Sequence, residues 1–118
     1  MRVSDALGKF GEQLAAQHLI AAGMEVLDRN WRCSIGEIDI VARDGDTLVI
    51  CEVKTRRSLT FGHPLAAVTP IKLRRLRRLA AEWISTSGIR ARTIRLDVVA
   101  ILTPRDGQPI IEHVRGVS

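Results

Sequence analysis

Two hydrophobic periodicities alternate along the chain. Leu7, Phe10, Leu14 and Ile20 recur at helical spacing, with Ser4 placed to cap a first helix and Gly23 to stop it. Glu25–Arg32 reads as a strand around Val26 and Leu27, followed by a loop over residues 33–36. Residues 37–43 and 47–55 read as strands flanking Asp44-Gly45-Asp46, a hairpin signal. After a polar loop at 56–64, Thr69 and Pro70 supply the cap and first-turn proline of a second helix. That helix runs to about Thr86, buries Leu73, Leu76, Leu79, Ala80 and Trp83, and ends at Gly88. Thr93–Leu102 is a further strand, and residues 104–107 turn the chain into a last one at Ile110–Val114. The order α-β-β-β-α-β-β, without repeats or linkers, predicts one α/β domain over residues 1–118, a mixed sheet flanked by helices.

One segment departs from an ordinary core strand. The apolar run Leu48-Val49-Ile50-Cys51 ends on Glu52-Val53-Lys54, and the segment before it carries Gly36-Glu37-Ile38-Asp39. Strand side chains alternate between faces, so Glu52 and Lys54 point the same way. Charges at the end of a core strand cost desolvation unless something binds them. If Asp44 pairs with Thr47 across a two-residue turn, Asp39 stands opposite Glu52 and Glu37 opposite Lys54. Such partners lie ~4.5–5.5 Å apart at Cβ, close enough for two carboxylates to share a small cation; a bulge or a longer turn would change the register.

The chemistry these residue types suit is phosphodiester hydrolysis. Mg²⁺ or Mn²⁺ takes oxygen ligands and keeps several waters, so Asp39 and Glu52, with the Val53 carbonyl, suffice as protein donors. Lys54 is placed to orient or deprotonate the attacking water. Glu37 fits either a supporting role beside Asp39 or an ion pair with Lys54.

Charge distribution points the same way. Residues 1–53 carry a net −4, residues 54–95 a net +10 and residues 96–118 a net −1. An acidic pocket beside a basic field suits a cation-dependent enzyme acting on a polyanion. Arg56 and Arg57 follow Lys54 directly and are the best placed phosphate contacts. Lys72 and Arg75 share a face at the start of the second helix and read either as phosphate contacts or as surface residues.

With four aromatic side chains (Phe10, Trp31, Phe61 and Trp83), the chain offers no broad base-stacking platform. His18, His63, Cys33 and Cys51 do not form a spaced zinc set, and His113 reads as a strand surface residue. No phosphate-binding glycine loop or nucleophile elbow is present. No run approaches the ~18 apolar residues of a membrane span, and the first twenty residues lack signal-peptide character. With both cysteines read as reduced thiols, a cytoplasmic protein is expected.

Gly11-Glu12, Gly-Glu-Ile-Asp at 36–39, Glu-Val-Lys-Thr at 52–55, Phe61-Gly62, Pro64 and Thr-Pro-x-Lys at 69–72 together resemble the YraN-like family. Those small bacterial proteins are placed by fold in the restriction-endonuclease-like PD-(D/E)xK superfamily. The resemblance spans nearly the whole chain. It implies that Asp39, Glu52 and Lys54 match the superfamily's catalytic acid, acid and lysine, with Ile38 where the motif names a proline. It further implies that Glu12 matches the helix-one acid of the Holliday-junction-resolvase-like branch, that the substrate is DNA rather than RNA, branched or structured, and that the protein is a homodimer. Two rival readings remain: a catalytically inactive nucleic-acid-binding module of the same fold, and an adaptor whose Arg-rich helix docks on an acidic protein.

Overall fold

The computed structural model describes residues 3–60 and 62–117, with side chains from residue 6 onward. Helix α1 (Val3–Ala21) is followed by strands β1 (Glu25–Arg32), β2 (Glu37–Asp44) and β3 (Thr47–Arg56). A short 3-10 turn (Pro64–Ala67) then leads to α2 (Pro70–Ser87), β4 (Thr93–Leu102) and β5 (Ile110–Val114). The strands form one sheet in the order β1-β2-β3-β4-β5. All neighbours are antiparallel except β3 and β4, which run parallel. A parallel pair needs a crossover, and α2 supplies it. This is the α-β-β-β-α-β-β mixed sheet expected of a restriction-endonuclease-like core.

Alternation along β3 divides the core. Val49 and Cys51 pack on the α1 side with Ala15, Ala16, Leu19, Val99 and Ile101. Leu48 and Ile50 pack on the α2 side with Leu76, Leu79, Ala80, Trp83 and Leu96. The expected face of α2 is thus buried, with Leu73 only partly so. Thr69 caps α2 by accepting from the Lys72 N–H at 3.2 Å, and Gly88 ends it in a left-handed conformation.

The face expected of α1 is only partly the one it buries, with Leu14 packed against the core and Leu7 half-buried. Phe10 is 48% exposed and Ile20 58%, whereas Gly11, Ala15, Ala16 and Leu19 meet the sheet. The reason is close approach. A Cβ added at Gly11 would overlap the Thr55 hydroxyl and lie 2.9 Å from Thr55 Cβ, so only small residues fit where the helix crosses β3. Ser4, expected as the cap, falls within the helix bounds; its side chain, like all of Phe61, lies outside the described residues.

His113, expected on the strand surface, has a buried side chain. Its side chain is 7% exposed and its Nε2 lies 2.8 Å from Oδ2 of the fully buried Asp97. Asp97 also receives two hydrogen bonds from the Arg95 guanidinium and one from the Gly116 N–H. The network fastens β5 and the residues after it to β4, and a buried carboxylate of this kind needs that full set of donors.

Candidate functional site

The hairpin register is the expected one over most of its length: Asp44 pairs with Thr47, and the ladder continues to Ile40 opposite Cys51. Gly45, at φ +61°, supplies the left-handed residue that the tight turn needs. The ladder then stops one step short of Asp39 and Glu52. Ile38 packs on the α2 side and Ile40 on the α1 side, although residues two apart in a regular strand share a face. The strand is therefore twisted at Asp39. Its partner strand is irregular at the same level, where Asn30 adopts φ +52° between the pairs Arg29–Ile40 and Trp31–Ile38.

This irregularity turns the Asp39 carboxylate toward the end of β3. Its Oδ2 accepts the Val53 N–H at 2.8 Å instead of facing Glu52 across a ladder rung. Close contact at Gly11 sets Glu12 against the same region. One carboxylate oxygen from each of Glu12, Glu37 and Asp39 lies within 4.8 Å of the others. Glu37 does not pair with Lys54; it is held by Arg32 Nε at 2.6 Å. Its place among the acids is closer than sequence reasoning gave it. Asn30, which hydrogen-bonds Glu12, was missed altogether. Its one signal was an asparagine in a strand interior, a position that side chain disfavours.

Glu52 and Lys54 share the α2 face of β3, as alternation requires. Glu52 is 7% exposed, and its Oε1 lies 3.4 Å from Lys54 Nζ and 3.1 Å from Lys72 Nζ. Lys72 is thus drawn into the site and bonded to an acid. Arg75 is exposed beside Gly36, in the loop leading to Glu37. Arg56 is half-buried, with its guanidinium on the Thr55 carbonyl, and Arg57 is exposed. A cleft of about 400 Å³ opens between α1 and the end of β3, lined by Glu12, Lys54, Arg56 and Arg57 among others.

Crowding of like charges governs the electrostatics. Burial, then the charge of Glu52, pushes the Asp39 carboxyl up to about 7; Glu12 and Glu37 add to the rise, and the Val53 N–H offsets part of it. Glu12 is raised too, by burial first and then by Glu37 and Glu52, against the Asn30 hydrogen bond and Arg29. Burial and the adjoining Lys72 amine lower Lys54, outweighing Glu52. For Lys72 burial also lowers, but the contacts with Lys54 and Glu52 prevail and its pKa is raised. Of the two amines, Lys54 is the one that gives up its proton first. Chemically, the arrangement offers hard oxygen donors, a base and cationic groups in one place.

Residues 11–101 match the Uncharacterised protein family UPF0102. The chain belongs to that family. A UPF0102 protein of Nocardioides is 56% identical over 98% of this chain and 94% of its own length. UPF0102 proteins of Beutenbergia cavernae and Streptomyces coelicolor are each 58% identical over all of this chain, covering 100% and 92% of their own lengths. The UPF0102 match takes in Glu12, the whole acid cluster and both lysines. Among the described residues, no helix is long and apolar enough to cross a membrane.

Proposed function

We propose that this UPF0102 chain is a metal-dependent endonuclease of the PD-(D/E)xK superfamily, hydrolysing phosphodiester bonds in DNA, with branched or structured DNA preferred. One observation carries the reading: the Glu12, Glu37 and Asp39 carboxylates converge beside the Glu52–Lys54 pair, at a cleft that Arg56 and Arg57 help to line. The donor set fits Mg²⁺ or Mn²⁺. It is all oxygen, and the upward push on Asp39 and Glu12 is the strain that a dication relieves.

In this reading Asp39, Glu52 and Glu12 would hold the ion, with the Val53 carbonyl as a further donor and Glu37 beside them. The ion supplies water activation and offsets charge on the leaving oxygen. Lys54, held beside Glu52, orients the attacking water and stabilises the negative charge that develops. Arg56 and Arg57 hold the phosphates flanking the scissile one, and Arg75 meets the backbone on the α2 side. The DNA preference and a C2 homodimer cutting two strands rest on the resolvase-like resemblance and on the chain's basic field, and a cytoplasmic location rests on the two cysteines read as reduced thiols.

A second reading has one observation in its favour. Glu52 is already neutralised by two lysines, so the fold closes without a cation. A non-catalytic nucleic-acid-binding module needs no more than that. Labelled branched, single-stranded and duplex DNA, with an RNA control, incubated with Mg²⁺ or Mn²⁺ separates the two. The nuclease reading expects cleavage that is lost in Asp39→Ala and Lys54→Ala. Binding without cleavage favours the module, and cleavage that survives both substitutions assigns the activity elsewhere.

A further inference from the structure

We propose that Lys72 is a built-in counter-ion of the acid cluster, an ammonium delivered by α2 that competes with a divalent cation for Glu52. The inference rests on the cation-dependent reading above. Two ammonium groups meet a single carboxylate oxygen, Glu52 Oε1, at 3.1 and 3.4 Å. One would balance Glu52. The second lies within electrostatic reach of Asp39, the carboxylate that Glu12 and Glu37 crowd.

The two lysines differ in how they arrive. Lys54 stands two residues from Glu52 on the same strand face and stays beside it whatever else binds. Lys72 comes from another element. Its backbone is pinned by the Thr69 cap, with the Lys72 N–H donating to Thr69 Oγ1 at 3.2 Å. The pinned first turn aims a flexible four-carbon stem at the site. The side chain of Lys72 is 31% exposed, against 19% for Lys54. It therefore has an open path out of the site when a stronger cation takes Glu52, which a compact, mobile ammonium suits better than a planar guanidinium.

Calorimetric titration of Mn²⁺ into the full chain, wild type and Lys72→Met, tests this. A removed competitor tightens Mn²⁺ binding, roughly three- to tenfold, whereas structural damage weakens it. In a Glu52→Gln background the same substitution has a smaller effect, and Lys72→Arg, which keeps the charge, does not tighten binding. Lys72→Gln serves as a second neutral variant should Lys72→Met melt early. Fluorescence anisotropy with duplex DNA gives an independent readout. A counter-ion leaves the slope of log affinity against log salt unchanged, while a phosphate contact reduces it by about 1. Unchanged or weaker Mn²⁺ binding in both neutral variants, or a reduced slope, overturns this inference alone. Absence of Mn²⁺ binding in wild type and variants overturns it together with the nuclease reading.

Discussion

Asp39 faces three other carboxylates with one backbone N–H to offset them, and its proton links stability to pH. The ordinary value is 3.8, and the folded chain raises it to about 7. Below 3.8 both folded and unfolded chains hold the proton and nothing is lost. Between that value and about 7 the folded chain keeps a proton that the unfolded chain releases, so stability falls as pH rises. The full loss, on the order of 2–4 kcal/mol, is present above about 7. Asp39→Asn keeps an acceptor for the Val53 N–H and removes the charge. Thermal melts should show the variant more stable than wild type at pH 8, with the gap closing toward pH 4. Parallel pH profiles would contradict the crowding on which the site is built. The acids were legible in the sequence because their types and spacing sit against an apolar strand. How they converge was not, since a twist at Asp39 and the conformation of Asn30 are tertiary outcomes that alternation does not encode.

Among the elements, α1 shows why side-chain size misled the sequence reading. Large apolar residues at helical spacing mark a buried face only when the helix stands off at an ordinary distance. Here Gly11 lets the backbone touch Thr55, and the small residues Gly11, Ala15 and Ala16 become the contact. Gly11→Ala should destabilise the protein by about 1–3 kcal/mol, because Thr55 and the helix must part. Denaturant unfolding measures that cost. The same shift moves Glu12 away from Asp39, so cation affinity should fall further than in a helix substitution of similar cost remote from the site, such as Gly88→Ala at the far end of α2. Equal losses would mean that the close contact serves packing alone. The α2 boundaries were legible because a cap, a first-turn proline and a terminal glycine coincide with the periodicity. The Asp97–Arg95–His113 network was not, because strand alternation cannot show which charged residues meet in a core.

On the scale of the whole molecule, the basic block of residues 54–95, net +10, follows the acidic block of residues 1–53, net −4, and the fold joins them at the end of β3. DNA binding by such a surface should weaken steeply with salt. Replacing both Arg56 and Arg57 by Ala should lower the slope of log affinity against log salt by about 2 and weaken binding alike for unrelated sequences. A change confined to one DNA sequence would place these residues at bases instead. Fold class and the order of elements along the chain followed from the periodicities, whereas the order of strands in the sheet and the parallel β3–β4 pair are tertiary outcomes that α2 produces by crossing over the sheet. A cation held by the carboxylates is what would make this surface a nuclease. Crystals soaked in Mn²⁺ at pH 8 give the direct test by anomalous scattering. A single peak in contact with Asp39 and Glu52, absent in Asp39→Asn, is the result expected; a map with no peak there, or with one unchanged by that substitution, would contradict it.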